Sequence, residues 1–369
     1  MASGDVKLAV GMMSGTSMDG IDVALLRTDG GGFVEPVAAR SKPYDDVFRR
    51  KLRAALGQSA PDPALAEELT RRHAEAVIAL LSAAGISADD VDVAGFHGHT
   101  ILHDPANYRT FQIGDGALLS GLLGVDVVYD FRSADVAAGG EGAPFAPIYH
   151  AALAPDARPV CFLNIGGVAN LTWIGADADP SRPDVFDHLL AFDTGPGNAL
   201  IDDFVQARTG AVCDWDGKLA ASGRMDRGAL AALMAHPYFE VAPPKSLDRN
   251  DFDAKAVGDL SDADGAATLS AFTVQSIARA ARFLPAPPVR WLVTGGGRKN
   301  AHLLIELAAA LDAPVVPTEA EGIDGDALEA QAFAYLAVRY LRGWPLSGPN
   351  TTGVPAPQTG GQIVRARAA

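Results

Sequence analysis

The chain has 369 residues, of which 48% are hydrophobic and 20% are charged, and its formal net charge is −15. This composition is typical of a globular protein with room for two domains, and the acidic balance disfavours nucleic acid and anionic membranes as partners. Two cysteines, no signal-peptide pattern and no apolar run near the roughly 20 residues that span a bilayer predict a cytoplasmic protein without a disulfide framework.

The first half of the chain alternates predicted strands and helices. Two apolar runs flank a polar turn that contains glycine, which predicts a β-hairpin with a long loop. A stretch of helical periodicity follows and stops at Gly85, a typical helix C-cap. In chain order the predicted elements are strands at 7–13 and 21–28, a helix at 65–84, and strands at 91–96 and 124–130. The stretch 137–147, rich in Gly, Ala and Pro, is a candidate domain junction.

The second half opens in the same way, with a strand that leads into a glycine turn. The predicted elements are a strand at 159–165, helices at 199–208 and 266–284, a strand at 290–294, a helix at 300–311, a strand at 314–317 and a helix at 326–341. The tail 348–361, rich in Pro, Gly and Thr, is predicted to be a loop. The similar openings indicate a duplicated architecture without a strict sequence repeat. We therefore predict an α/β fold of two similar domains around a central cleft, the first at 1–143, completed by 344–369, and the second at 144–343.

Three turns rich in glycine carry the strongest functional signal. They span 13–20, 164–170 and 193–198. Backbone N–H groups in such turns bind anions, and an acid among them can act as a base or hold a metal ion. The first turn lacks the Gly-Lys-Ser/Thr ending of a Walker loop, which excludes a P-loop. Together the three turns indicate phosphoryl transfer.

Asp193 is the candidate general base. It follows the apolar run 189–192, so the sequence predicts its carboxylate at the carboxyl end of a strand, where open α/β sheets place their ligands. The alternative is that an acid here caps the following helix, and Asn198 is the better candidate for that role.

The motifs, taken in this order, resemble those of the anhydro-N-acetylmuramic acid kinase family, within the superfamily of actin, hexokinase and the sugar kinases. The resemblance extends over nearly the whole chain. Besides the three turns, it rests on His97-Gly98-His99-Thr100, Asp130-Phe131-Arg132, the segment 135–144, Gly295-Gly296-Gly297 with Asn300, and Leu328-Glu329-Ala330. The chain departs from the family at His99 and Glu141, where Gln is usual, and its segment 245–249 matches the usual Lys-Ser-Thr-Gly-Arg only in part.

The resemblance implies two actin/hexokinase-like (ribonuclease H-like) domains, with ATP and Mg²⁺ as cofactors. The implied nucleotide-binding residues are Gly15, Thr16, Ser17, Met18, Asp19, Gly20, Ile21 and Asp22, then Asn164, Gly166 and Gly167, and finally Gly295, Gly296, Gly297 and Asn300. Asp19 or Asp22 is the implied Mg²⁺ ligand, directly or through water, because Mg²⁺ prefers carboxylate oxygens. The chemistry of each turn alone is also compatible with an ordinary turn or helix cap.

The implied catalytic residues are Asp193, Arg132 and Glu329, and the implied substrate contacts are Gly98, Thr100 and Arg132. Arg132 suits a carboxylate or a transferring phosphate, but a structural salt bridge with Asp130 or Asp135 is the alternative. For Glu329 the alternative is a solvated acid at a helix start.

A zinc site is the competing reading of the three histidines His97, His99 and His103. No carboxylate or cysteine completes a recognisable ligand set with them, so zinc is disfavoured.

The implied activity is an ATP-dependent kinase that opens the ring of 1,6-anhydro-N-acetylmuramic acid and phosphorylates O6, in the recycling of cell-wall peptidoglycan. The implied assembly is a homodimer, without nucleic acid or membrane partners. Two alternatives stay open. One is a kinase for another bridged sugar, such as levoglucosan, and the other is a nucleotide-binding regulatory or scaffolding protein without catalysis.

Overall fold

The structure is a computed structural model that describes residues 5–15, 17–247 and 250–366. The chain forms two compact units. The first comprises Met1–Leu153, Asp177–Asp187 and Ala327–Ala369, and the second comprises Ala154–Ala176 and His188–Asp326. Among the described residues, none of the helices combines the length and the apolar character that crossing a bilayer requires.

The elements of the described residues are as follows. The strands are β1 (Lys7–Ser14), β2 (Gly20–Thr28), β3 (Val34–Pro43), β4 (Val93–Asp104), β5 (Arg109–Ile113), β6 (Val127–Tyr129), β7 (Val160–Ile165), β8 (Val168–Ile174), β9 (Leu189–Pro196), β10 (Arg290–Thr294), β11 (Val315–Pro317) and β12 (Gln362–Val364). The helices are α1 (Asp46–Ala55), α2 (Pro63–Ala84), α3 (Gly116–Leu123), α4 (Ser133–Ala137), α5 (Ala146–Leu153), α6 (Ala199–Thr209), α7 (Lys218–Ser222), α8 (Arg227–Met234), α9 (Asp262–Ala280), α10 (Ala301–Ala310), α11 (Leu328–Leu341) and α12 (Pro349–Thr352).

The first unit is built on a sheet with the strand order β12-β6-β4-β1-β2-β3, and β5 pairs with β4 off this path. The predicted hairpin is confirmed: β1 and β2 are antiparallel, with Met13 opposite Asp22 at the end of their register. β4 lies parallel to β1 and β6, so the carboxyl ends of these three strands share one edge. The predicted end of β4 at Phe96 is wrong. The strand continues through the His97–Thr100 motif because β5 folds back and pairs with it.

Helix α11 packs on this sheet through two glycines. Gly11 and Gly95 face each other in the register of β1 and β4. A Cβ atom on Gly11 would lie 1.9 Å from the carbonyl oxygen of Ala330, and one on Gly95 would lie 2.0 Å from that of Phe333. Only glycine permits this approach of helix backbone to strand backbone. The packing places α11 in the first unit, whereas the predicted boundary at 343 assigned it to the second.

The second unit is built on a five-stranded sheet in the order β11-β10-β7-β8-β9. β7, β8 and β9 form an antiparallel meander, β10 pairs in parallel with β7, and β11 pairs in parallel with β10. The first unit has the same arrangement in β1, β2 and β3 followed by β4 and β6. The shared strand order confirms the duplicated α/β architecture.

Most predicted elements are confirmed, with shifted ends. The predicted helix 266–284 runs as α9 from Asp262 to Ala280 and continues as a 3₁₀ turn to Phe283. The candidate junction 137–147 lies inside the first unit, which continues through α5. The predicted loop 348–361 contains the short helix α12, and β12 follows it and pairs with β6.

Candidate active site

In the first unit the site residues come from three strand ends and one helix start. β1 leads into the loop that contains Asp19, β2 carries Asp22, Arg132 follows β6, and Glu329 lies in the first turn of α11. The charges of Asp19, Asp22 and Arg132 all act on the Glu329 carboxyl group. These four residues, called here the acid–arginine cluster, therefore share one locality.

The environment of Glu329 makes its carboxyl group a weaker acid than usual. Desolvation by the surrounding protein atoms raises the pKa of this carboxyl group, the negative charges of Asp22 and Asp19 raise it further, and the positive charge of Arg132 lowers it. The residue nevertheless has substantial solvent-exposed surface. Glu329 is thus a solvent-accessible acid at a helix start, as the alternative expected, but one close enough to three other predicted site residues to feel their charges.

The predicted nucleotide loop 15–22 divides into a turn and a strand. Met18 N–H donates to the Gly15 carbonyl (3.1 Å), which closes the turn, and Thr16 lies outside the described residues. Gly20, Ile21 and Asp22 belong to β2, where they pair with β3. The side chains of Met18 and Ile21 are buried in the core, so only their backbone is suited to contact a nucleotide.

Hydroxyl groups restrain both acids of this loop. The Ser17 hydroxyl donates to Asp19 Oδ1 (2.8 Å), and the Ser41 hydroxyl donates to Asp22 Oδ1. Sequence reasoning did not identify Ser41, because β3 carries no motif and pairs with β2 only after folding.

A buried chain of hydrogen bonds lies beneath this loop. The Tyr44 hydroxyl donates to Ser14 Oγ (2.8 Å), which lies 2.9 Å from Nδ1 of His99. Burial lowers the pKa of His99 to about 4, so the ring is neutral at pH 7. His99 therefore fixes Ser14, the last residue of β1 before the loop.

Arg132 is held by acceptors other than the two aspartates that the salt-bridge alternative named. Its Nε donates to His97 Nε2 (2.9 Å) and its Nη1 donates to the Gly142 carbonyl (2.8 Å). Burial lowers the pKa of Arg132 to about 10, while Glu329 and Asp135 raise it, so the guanidinium stays charged at neutral pH.

The two aspartates have other partners. Asp130 accepts hydrogen bonds from Ser133 Oγ (2.5 Å) and Gln362 Nε2 (2.9 Å). Asp135 is fully buried and accepts hydrogen bonds from the Gly142 N–H (2.7 Å), Ser347 and Thr352. Asp135 thus fixes the loop whose carbonyl holds Arg132.

Gly98 and Thr100, the predicted substrate contacts, lie inside the β4–β5 pair. The Gly98 carbonyl accepts a hydrogen bond from His97 Nδ1 (3.0 Å), and Thr100 Oγ1 accepts one from Gln112 Nε2 (3.2 Å). His103 Nδ1 lies 3.1 Å from Thr110 Oγ1. Across the described ranges, no group of three or more His, Cys, Asp or Glu residues is placed to hold a metal ion.

In the second unit the glycine loops after β7, β9 and β10 contact one another. The Asn198 N–H donates to the Gly166 carbonyl (2.7 Å), and the Gly197 N–H donates to the Gly167 carbonyl (2.9 Å). A Cβ atom on Gly295, whose φ is +73°, would lie 2.4 Å from Asn164 Oδ1. The structure therefore brings together the second and third predicted turns and the implied nucleotide-binding turn Gly295-Gly296-Gly297.

Asp193 lies within β9 rather than after it, because β9 continues through Pro196. The residue is half-buried, and its Oδ2 accepts a hydrogen bond from the Leu247 N–H (2.8 Å). The Tyr238 hydroxyl donates to the Asp193 carbonyl (2.6 Å), and the Asp193 N–H donates to the Lys245 carbonyl (3.1 Å). The segment 238–247 thus fixes the backbone and the carboxylate of Asp193.

The two asparagines at helix starts behave differently. Asn198 occupies the N-cap position of α6, but its side-chain amide donates to the Ile165 carbonyl (2.9 Å) instead of capping the helix. Asn300 caps α10 by accepting a hydrogen bond from the Leu303 N–H (3.0 Å). Gly296 and Gly297 lie in the 3₁₀ turn just before Asn300.

Lys245 lies beside the candidate base. Its Nζ donates to the Tyr238 carbonyl (3.0 Å) and lies 4.2 Å from the centroid of the Tyr238 ring. Burial lowers the pKa of Lys245 to about 8, while the charge of Asp193 raises it. The only sequence signal for Lys245 was the partial motif 245–249, of which Asp248 and Arg249 lie outside the described residues.

The chain is similar to known proteins in both sequence and fold. A sequence model of the family described as anhydro-N-acetylmuramic acid kinase matches residues 7–366. The chain is 55% identical to the anhydro-N-acetylmuramic acid kinases of Paramagnetospirillum magneticum (96% of this chain and 99% of the relative) and of Rhodospirillum rubrum (96% and 93%). Its fold is similar to that of xylulose kinase from Lactobacillus acidophilus, with a TM-score of 0.50 at 14% identity over 91% and 90% of the two chains.

The strand order shared by the two sheets and the similarity to xylulose kinase show the actin/hexokinase fold. The family that the sequence matches is one of sugar kinases, enzymes that use ATP. The chain belongs to the anhydro-N-acetylmuramic acid kinase family.

Proposed function

We propose that this enzyme opens the ring of 1,6-anhydro-N-acetylmuramic acid by hydrolysis and phosphorylates O6, with ATP as the phosphoryl donor. The products are N-acetylmuramic acid 6-phosphate and ADP. The observation that carries the proposal is Asp193, which lies beside the glycine loops of the second unit. Its half-buried carboxylate accepts a hydrogen bond from the Leu247 N–H, and its backbone carbonyl accepts one from the Tyr238 hydroxyl. A protein that only binds nucleotide has no need of a fixed base there.

The proposed chemistry uses Asp193 as a general base. Asp193 takes a proton from a water molecule, and the water oxygen bonds to the anomeric carbon. The bond between that carbon and O6 breaks, and O6 takes the γ-phosphoryl group as the bond to ADP breaks. The proton leaves Asp193 for solvent after the product departs.

Arg132 and Glu329 of the acid–arginine cluster are proposed to contact the sugar and the transferring phosphoryl group. Arg132 donates to the lactyl carboxylate or to phosphoryl oxygens, since a charged guanidinium is suited to both. Glu329, whose pKa is raised, is suited to exchange a proton with a sugar oxygen. Gly98 and Thr100 are proposed sugar contacts.

The glycine loops are proposed to bind ATP. Backbone groups of the segment 15–22 and of the second loop, at Asn164, Gly166 and Gly167, would contact its phosphates. The turn Gly295-Gly296-Gly297, with Asn300, would lie near the adenosine. Asp19 and Asp22 fit Mg²⁺. The charges of both act on the carboxyl group of Glu329, so the two acids share one locality. Mg²⁺ in such enzymes is held by one or two carboxylates together with substrate phosphates. When bound, Mg²⁺ neutralises charge on the phosphates.

The proposed setting is the recycling of cell-wall peptidoglycan. An enzyme that consumes ATP works where ATP is abundant, which supports the cytoplasm as its location. A homodimer is the proposed assembly, and it is supported only by the resemblance to the family.

The experiment that tests the substrate is a measurement of ADP release with two bridged sugars. We expect turnover with 1,6-anhydro-N-acetylmuramic acid and at least about 10²-fold lower kcat/KM with levoglucosan, because levoglucosan lacks the lactyl carboxylate that Arg132 can bind. Turnover of levoglucosan alone would reject the proposed substrate. ATP binding without turnover of either sugar would favour the regulatory alternative.

A further inference from the structure

Arg132 has its guanidinium plane set by two fixed acceptors, His97 Nε2 at 2.9 Å and the Gly142 carbonyl at 2.8 Å. A guanidinium group carries donors only, so Nε2 of His97 must be unprotonated and accept. Nδ1 of His97 lies 3.0 Å from the Gly98 carbonyl, which can only accept, so Nδ1 carries the proton. The partners on both sides therefore require one neutral tautomer of His97.

His97 is itself held rigidly. Its side chain lies on β4, is only 3% exposed, and packs against Phe333 of α11 with 4.7 Å between the ring centroids. The other acceptor of Arg132 is equally fixed, because Asp135 accepts the Gly142 N–H (2.7 Å). Among the described residues, the Nη2 group of Arg132 has no hydrogen-bond acceptor, so it remains available to a ligand.

We propose that His97 is a positioning residue: it holds Nε of Arg132 and thereby aims the free edge of the guanidinium at an anionic substrate group. The proposal rests on the role of Arg132 in the proposed function. His97 needs no contact with substrate for this role, and its ring is closed off by Arg132, Gly98 and Phe333.

The first test compares two substitutions of His97. His97→Leu keeps an apolar contact with Phe333 but removes the acceptor, and His97→Gln restores an acceptor through its amide oxygen. We expect His97→Leu to lower kcat with the anhydro sugar by about 10- to 100-fold, because small misplacements of a catalytic group cost this much. His97→Gln should recover most of the loss. Equal kcat values for the Leu and Gln variants would overturn the proposal.

His73→Leu is the matched control. His73 is another fully buried histidine of the first unit, and its Nδ1 bonds to the Leu69 carbonyl (2.9 Å), not to a predicted site residue. We expect this variant to keep kcat within about three-fold of the wild-type value. A loss equal to that of His97→Leu would show that burial alone, not the bond to Arg132, explains the effect, and would overturn the proposal.

A double-mutant cycle separates this inference from the proposed function. If His97 acts through Arg132, adding His97→Leu to Arg132→Ala should lower kcat by less than about two-fold more. Losses that multiply would overturn the inference. Full activity of Arg132→Ala would instead reject the role of Arg132 in the proposed function, whereas an impaired Arg132→Ala beside an unaffected His97→Leu would reject the inference alone.

A measurement on the wild-type enzyme does not depend on the folding of any variant. Nitrogen NMR of protein labelled with ¹⁵N-histidine should show His97 as the tautomer protonated at Nδ1 between pH 6 and 8. A His97 protonated at Nε2 is incompatible with the bond from Arg132 and would overturn the proposal.

Discussion

At the scale of single residues, the proposed base Asp193 is held by neighbours along the chain. Its backbone is tied to Tyr238 and Lys245 and its carboxylate to Leu247, so a contiguous segment of sequence fixes its orientation. One carboxylate oxygen is engaged by that backbone donor, which limits rotation of the side chain. A carboxylate restrained in this way is suited to orient a water molecule.

Asp193→Asn removes the base while preserving size and shape. We expect a loss in kcat of about 10²-fold or more, since a positioned general base contributes on that order. Binding of ATP and sugar, measured by calorimetry, should be nearly unchanged. Asp259→Asn, at an exposed acid of the same unit, is the control and should retain full activity. Unchanged turnover of Asp193→Asn would remove Asp193 from the mechanism.

His99 makes the first unit sensitive to acid. Its pKa is lowered by burial to about 4 in the folded protein, against an ordinary value of 6.5. Between these two values the unfolded chain therefore binds the proton more readily than the folded protein does. The contribution of His99 to the free energy of unfolding is fully present above pH 6.5 and is lost as the pH falls towards 4. The loss for one such group is at most about 1.4 kcal/mol per pH unit.

His99→Gln, which introduces the residue usual in the family, should reduce this dependence. Denaturant-dependent hydrogen exchange of β1 and β4 peptides, which report on the first unit, measures the free energy of unfolding. We expect its slope between pH 6.5 and 4.5 to be smaller in the variant than in the wild type. An identical slope in both proteins would show that His99 is not buried as a neutral ring.

The sequence offers candidate site residues more readily than the partners that hold them. Glycine turns and acids follow local rules, so Asp193, Arg132 and the loops could be named from motifs. The partners could not be named, because Tyr238 and Asp193 are 45 positions apart and Arg132 and His97 are 35 apart. Contacts of that kind follow from tertiary packing, which periodicity does not encode.

At the scale of elements, the contact of α11 with the sheet determines where Glu329 lies. The backbone of α11 rests on Gly11 and Gly95, and Glu329 precedes the first contact residue, Ala330. The position of this acid therefore depends on two strand residues that no functional motif includes.

Gly11→Ala should destabilise the protein by about 3 kcal/mol, at the upper end of the usual cost of overpacking, because the new Cβ would meet a helix carbonyl that cannot move alone. Displacement of Glu329 should also lower kcat. Gly121→Ala is the matched control: Gly121 lies in α3, its Cβ position has no atom within 4 Å, and the change should be neutral or stabilising by up to about 1 kcal/mol. Thermal unfolding checks both, and equal melting temperatures for the two variants would contradict the packing account.

Element ends were predicted less well than element types. β4 and β9 both continue beyond their expected ends, at Phe96 and Phe192, because β5 and β8 supply hydrogen-bond partners there. The polar residues that seemed to mark loops, His97 to Thr100 and Asp193, are thus strand residues. Pairing with a neighbouring strand overrides local composition.

At the scale of the whole molecule, the duplication could be inferred from two similar openings of the sequence, and the shared strand order confirms it. The division of the chain between the units could be inferred only in part. The sequence analysis assigned the end of the chain from residue 344 to the first unit, but not residues 177–187 and 327–343, which join that unit by packing rather than by proximity in sequence. The prediction of a kinase likewise depended on combining short motifs that are far apart in the sequence and belong to both units.

Isotope labelling tests the coupling of ring opening to phosphorylation most directly. The reaction is run in ¹⁸O water with 1,6-anhydro-N-acetylmuramic acid and ATP and quenched early, and the product is analysed by mass spectrometry, with unlabelled product incubated in the same water as a correction for spontaneous exchange. We expect one ¹⁸O atom at the anomeric hydroxyl and an unlabelled phosphate on O6. A phosphorylated sugar with the bridge intact, or label in the phosphate instead of the sugar, would contradict it.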